Sequence, residues 1–399
     1  MRIGEINESI GAESVKKCLH YLLLAALLVA VPLLCCICAG YDDTLSDVLA
    51  FPPRCDDWVD QPGRLWETKC PFNWYVFAGM SAFVALSVLP FLRRLVKAMW
   101  EQRVYRNGAG QHLFPWFGWI GLVVMTAGWA LSWTRFEWFA SVQRYSYIPL
   151  WAGFILLVNA LCVKRCGRSP LTSETRAYLW SFPASSLFWW FFEYLNRYVW
   201  NWFYVGVRGI SPLEYAVFAT VCFASVLPGV TAVAWLLGSF KAFSDDVYCG
   251  MAKVNIRSRA SVVVMSLLSS VGLAGIVFFP QFTYPLLWIS PLMVFVLVQV
   301  LMKERSAFDV LASGNWSAVF RFAAASLICG LVWETWNYYS LAKWIYTIPW
   351  VHRWEIWEMP LLGFAGYLPF GVECVVVAAW IDPRLTGSCG RGNGKVVAI

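Results

Sequence analysis

FWWFFEYLNRYVWNWFY, residues 188–204, and GLVWETWNYYSLAKWIY, residues 330–346, follow one pattern: a glutamate, an asparagine three positions on, then Trp-x-Tyr. The first copy supplies Glu193 and Asn196, the second Glu334, Asn337, Trp344 and Tyr346. Three-residue spacing puts each Glu and its Asn on one helix face. The match continues outward. YSYIPLWAGFILLVNAL around 146 is answered by FTYPLLWISPLMVFVLV around 282. SPLEYAVFATVCFASVLPG (211–229) is answered by IWEMPLLGFAGYLPFG (356–371), each with a glutamate, Glu214 or Glu358, and a Leu-Pro step. Self-similarity on this scale decides architecture before single elements are assigned. It predicts a four-span unit over 111–240 repeated over 241–385, after a two-span extension at 1–110 and before a tail at 386–399.

Composition says what the spans cross. Of 399 residues 59% are hydrophobic and only 14% charged, and the mean hydropathy is +0.58. A water-facing globular chain carries about a quarter charged residues, so most of this surface faces lipid. Disordered, nucleic-acid-binding, coiled-coil and secreted disulfide-scaffold chains need more charge or more regularly spaced cysteines. Three histidines are too few for a membrane di-metal oxygenase. A crossing takes about 20 mostly apolar residues, because every backbone group must be satisfied within its own segment. About ten stretches qualify, near 19–39, 72–92, 113–133, 146–163, 178–202, 212–238, 261–280, 284–302, 318–340 and 361–381. The predicted fold is all-α: a polytopic transmembrane helical bundle with two parallel four-span repeats. An even number of crossings gives both copies one orientation, with a shared cavity between them.

Most of the 31 basic residues lie on one side of this layout, including Arg93, Arg94, Lys97, Lys164, Arg165 and Arg168. The positive-inside rule then places both termini in the cytoplasm of a multi-pass protein of the cell membrane, an inner membrane in a bacterium. The net charge of +7 becomes a topology signal, and no nucleic-acid partner is expected. The first span reads as a retained anchor. The outer loop 41–71 is acidic and holds Cys55 and Cys70, which predict a disulfide in an oxidising compartment. Cys35, Cys36 and Cys38 crowd one helix end, as small apolar fillers or as metal or redox ligands. The segment TIPWVHRWEIWE (347–358) reads as a short amphipathic helix on the outer interface, with His352 at its surface.

Charges inside lipid are costly and face partners or cavities. Glu193, Glu334 and Glu373 are therefore the candidate catalytic residues. Arg197, four after Glu193, is placed to pair with it. Asn196 and Asn337 would orient the carboxylates, and Trp333, Trp344 and Tyr346 are candidates to contact a substrate. A carboxyl removed from water holds its proton more readily and suits general-acid work. The alternative is polar glue between helices. Aromatic rings at span ends anchor helices at the headgroups, and a minority could line a cavity where ring faces hold a polyene or a passing cation. No phosphate loop, dinucleotide fingerprint or Asp-rich diphosphate motif is present, so no cofactor and no metal are expected.

The second copy resembles the membrane lycopene cyclase domain, a repeated helical unit of carotenoid cyclases. The likeness rests on Trp333-Glu334, Asn337-Tyr338, Trp344-x-Tyr346 with Pro349 after it, and Pro369-Phe370 followed by Glu373. Gly371-Val372-Glu373 stands where that family has adjacent acidic residues. The resemblance implies an integral membrane enzyme acting on an isoprenoid or other lipid by carboxylate acid–base chemistry. Its partners would be membrane lipid and a hydrophobic small molecule. The competing expectation is a proton-coupled transporter or lipid-handling protein, whose pseudo-symmetric halves would serve alternating access.

Overall fold

The apolar runs between proline and glycine breaks fold as helices, since only a helix satisfies its backbone within one segment. The computed structural model describes residues 22–52, 70–102, 112–207 and 209–388. Among the described residues the α-helices of eight residues or more are, in chain order, α1 Leu22–Ala39, α2 Asp42–Leu49, α3 Trp74–Gln102, α4 Trp116–Trp133 and α5 Tyr147–Cys166. There follow α6 Thr175–Val199, α7 Pro212–Phe223, α8 Val226–Leu237 and α9 Arg259–Phe278. The last three are α10 Ser290–Leu301, α11 Ser317–Tyr338 and α12 Tyr367–Ile381. Among the described residues strands are confined to two short pairs, β1 Trp202–Val205 with β2 Lys343–Tyr346 and β3 Glu355–Ile356 with β4 Met359–Pro360. The chain is all-α, as its composition predicts.

Among the described residues eight helices are long and apolar enough to cross a membrane, or nine if the bent pair Pro280–Trp288 and Ser290–Leu301 makes one span. That pair is bent by 51°, where the sequence suggested one straight run over 284–302. Pro285 and Pro291 remove amide donors on either side of the bend. The expected span at 178–202 is present as the 25-residue α6, which is long enough but not apolar enough for that set. Its serines, tyrosines and tryptophans lower its hydropathy while Ser181, Ser185 and Ser186 are buried. The outward faces stay apolar: Phe83, Leu86 and Val96 on α3 and Val263, Leu267 and Val271 on α9 are exposed. A surface of this kind suits lipid and not water.

The segment 347–358 is not the amphipathic helix its pattern suggested. Trp350, Trp354 and Trp357 have φ of 64°, 50° and 58°, so the chain turns three times, and Glu355–Ile356 pairs back on Met359–Pro360. His352 is partly buried, with Nε2 2.8 Å from Glu355 Oε1. Cys55 of the expected disulfide lies outside the described residues, so the Cys55–Cys70 pairing does too.

Helices in lipid associate by close packing and not by water expulsion, which favours small residues at contacts. A Cβ on Gly121 would sit 2.7 Å from the Leu157 backbone nitrogen, and one on Gly153 would sit 2.5 Å from that of Met125. The backbones of α4 and α5 therefore touch. On the other side, a Cβ on Gly371 would lie 2.4 Å from the Phe322 carbonyl oxygen, which sets α12 against α11. Trp151 of α5 packs on Trp333 and Trp336 of α11, with ring centroids 5.0 Å and 5.3 Å apart. This aromatic contact joins α5 to α11, the helix that carries the second Glu-x-x-Asn pattern, within one core.

Candidate functional site

Each Glu-x-x-Asn…Trp-x-Tyr pattern folds as one hydrogen-bonded module at the end of a long helix. In the first, α6 stops where Trp200 adopts φ 50°. The Asn196 carbonyl oxygen Oδ1 accepts from the Asn201 amide at 2.8 Å and the Trp202 amide at 3.3 Å, and Nδ2 donates to the Trp202 carbonyl at 2.8 Å. The backbone of Trp202 is held on both sides. Its indole then donates to Glu193 Oε1 at 3.0 Å, and Tyr204, two residues along the strand and so on the same face, donates at 2.6 Å. Trp189, one turn before Glu193, gives the third bond at 3.0 Å.

The second module repeats this wiring. Asn337 accepts from the Trp344 amide at 2.9 Å and donates to the Trp344 carbonyl at 2.7 Å. Trp344 Nε1 donates to Glu334 Oε1 at 3.2 Å, and the Tyr346 hydroxyl donates to the same oxygen at 2.7 Å. The third donor differs. Gly330 stands one turn before Glu334, and a Cβ there would lie 2.4 Å from the Tyr367 ring. The gap lets Tyr367 of α12 reach Glu334 Oε1 at 2.7 Å. Glu334 is fully buried, and its Oε2 has no hydrogen bond.

The two modules meet through the β1–β2 pair. Trp202 lies opposite Tyr346, Phe203 opposite Ile345 and Tyr204 opposite Trp344. Rings from both modules wall one pocket with about 1120 Å³ of empty space, part of it open to the surroundings. Trp189, Trp202, Tyr204, Trp344, Tyr346 and Tyr367 line it while the carboxylates sit behind them. Trp333 also lines it, with its Nε1–H buried and unpaired. The wall is nearly all apolar. Among its lining residues the one cation is Lys343, whose ammonium is bound to Glu358. Nearby, Glu214 accepts from the Tyr145 hydroxyl.

The residues predicted from sequence fall into three groups. Trp333, Trp344 and Tyr346 reach the pocket, and Glu193 and Glu334 stand directly behind it. Asn196 and Asn337 hold backbone and bond neither carboxylate, so they position the rings instead. Arg197 Nη1 donates to the carbonyls of Asp47 at 3.5 Å, Val48 at 2.7 Å and Ala50, closing the end of α2, and acts on Glu193 through space. Glu373 does not join the others. It lines a separate groove between α1, α6, α10 and α12. Trp189, Trp202 and Tyr204 complete the first module and were overlooked as site residues, although the i−4 spacing of Trp189 and the Trp-x-Tyr repeat mark them. Tyr367 has no local signal; the hole at Gly330 is what admits it.

Aromatic faces without fixed charges accept an apolar ligand and stabilise a cation on it. Among the described residues no group of three or more His, Cys, Asp or Glu is placed to hold a metal ion. No family model, curated protein or solved structure matches this chain.

Proposed function

We propose that this chain is an integral membrane enzyme of lycopene-cyclase-like fold that takes an isoprenoid, or another apolar lipid, into the aromatic pocket and acts on it by carboxylate acid–base chemistry. The observation that carries this is Glu334: its Oε1 accepts from three ring donors, two of them pocket-lining tyrosine hydroxyls, while its buried Oε2 has no partner. An unpaired buried oxygen is costly unless it carries a proton or meets a ligand. A protonated Glu334 would hand its proton to the Tyr346 or Tyr367 hydroxyl at Oε1 as that hydroxyl gives its own proton to an alkene carbon of the ligand. Attack by a neighbouring double bond on the resulting cation forms a carbon–carbon bond, and loss of a proton from the adjacent carbon returns it to the carboxylate. The net change is isomerisation, with no oxidant or cofactor.

We place the chain in the cell membrane as a multi-pass protein of about ten spans with both termini cytoplasmic, on the distribution of its basic residues. The two parallel repeats are supported by the strand register, which puts Phe203 opposite its counterpart Ile345. A two-fold axis passing between them would exchange the modules.

A proton-coupled transporter or lipid-handling protein is the second proposal, and the 51° bend before α10 favours it, since broken helices are where transporters place their ion sites. Lipid extracts separate the two. Deletion and Glu334→Gln strains should accumulate the same uncyclised or unisomerised lipid if the chain is an enzyme. Unchanged lipid profiles with altered uptake of a polar solute would move the assignment to a transporter.

A further inference from the structure

Glu373 sits near the middle of α12, 2% exposed, with both carboxyl oxygens buried and without a hydrogen bond. The Leu292 backbone, in the first turn of the helix after the bend, is close enough to act on it without bonding. Glu373 lines a groove with about 1200 Å³ of empty space, part of it open to the surroundings, whose walls include Leu24, Leu28, Trp180, Phe188, Phe295 and Trp380. The lining residues include no lysine, arginine or histidine. This groove shares no lining residue with the aromatic pocket.

We propose that the groove is a second lipid site, which binds a long apolar chain carrying one uncharged hydroxyl, with that hydroxyl on Glu373. Two orphaned oxygens at 2% exposure are a strong defect in an otherwise apolar wall, and a ligand that pairs with them removes it. The walls admit only an apolar body. Anionic heads such as phosphate or carboxylate would meet Glu373 with no cation to offset them. An ammonium head would bring a further charge into the same apolar surround. A hydroxyl both donates and accepts, so it pairs with the carboxyl in either protonation state. The site rests on residues other than those of the aromatic pocket and stands or falls separately from it.

The test uses the full chain in lipid nanodiscs with a diazirine derivative of phytol, a C20 prenyl alcohol, and maps the labelled peptides. Phytol should displace label from 180–191 and 291–295 at about tenfold lower mole fraction than phytane, the hydrocarbon of the same skeleton, the contribution of about one good hydrogen bond. Glu373→Leu should make the two competitors equal. Ala184→Phe, which fills the groove but leaves Glu373, should remove label there and keep it on 215–226 in the other pocket. The proposal is overturned if phytol and phytane compete equally on the unmodified protein, if phytylamine competes better than phytol, or if label appears only on 215–226. It is also overturned if a folded Glu373→Leu protein keeps the preference. The first comparison needs no variant, so the proposal stays open to refutation even where Glu373→Leu fails to fold.

Discussion

Phe188 stacks on Phe370, with ring centroids 5.7 Å apart and planes 13° from parallel. Phe370 lines the aromatic pocket and Phe188 lines the groove that holds Glu373, so this ring pair is the wall between the two cavities. Of the three candidate carboxylates, Glu193 and Glu334 stand behind one cavity and Glu373 lines the other. Phe370→Ala should lower stability by about 3 kcal/mol, as for other buried aromatic truncations, and open one cavity into the other. Thermal unfolding in detergent measures the first. A photoprobe confined to one cavity in the parent but labelling both in the variant measures the second.

Gly330 and Tyr367 form a lock between α11 and α12. Gly330→Ala drives a Cβ into the Tyr367 ring and should swing its hydroxyl off Glu334, while Tyr367→Phe removes the hydroxyl and keeps the ring. If the Tyr367–Glu334 bond carries the proton, both variants should lose at least about tenfold of product formation, the effect of removing one proton-transfer partner. Product formation that survives Tyr367→Phe but not Tyr346→Phe would assign the relay to Tyr346.

Asn196 and Asn337 act on rings through the backbone. Asn196→Ala leaves the Trp202 carbonyl and two amides without partners, at a cost of about 1–3 kcal/mol for the buried groups, and Asn337→Ala should cost about the same. The two asparagines share no hydrogen-bond partner, although their modules meet through the β1–β2 pair and through Thr347, whose hydroxyl donates to the Trp200 carbonyl at 2.6 Å, so the double variant should be close to additive. Unfolding midpoints of the two singles and the double check this. A strongly non-additive double would mean that the modules are one network.

His352 gives a pH signature outside the spans. Burial holds its imidazole below the ordinary value, and the Glu355 carboxylate pulls the other way. The folded form therefore takes up a proton less readily than the unfolded chain. The stability it contributes is complete above the ordinary imidazole value of about 6.5 and is lost as pH falls below that toward the lower folded value. The unfolding midpoint of the parent should drop more steeply than that of His352→Gln between about pH 7 and pH 5. Parallel curves for the two proteins would remove His352 from the pH response.

Much of this was legible from residues alone. The Glu-x-x-Asn…Trp-x-Tyr spacing named both modules, because helix and strand periodicity fix which of those side chains share a face. What the asparagines hold was not legible, since a side chain that bonds backbone and one that bonds a carboxylate leave the same spacing. The separation of Glu373 from the other carboxylates was hidden too: hydropathy gives a residue's depth along a span but not the face it presents to neighbouring helices. The failed helix at 347–358 shows the same limit. Its apolar pattern suited a helix, and three tryptophans with positive φ turned the chain instead.

If Glu334, working through the tyrosines bound to it, transforms an apolar lipid in the aromatic pocket, the change must show in the lipids of the membrane that holds the chain. The most direct measurement is mass spectrometry of total lipid extracts from cells expressing the parent chain, the Glu334→Gln variant or neither, with equal membrane levels of both proteins. The parent alone should consume one lipid and form a product of identical mass and different retention, while Glu334→Gln and the deletion share the unconverted profile. A Glu334→Gln profile identical to the parent's would contradict this role of Glu334.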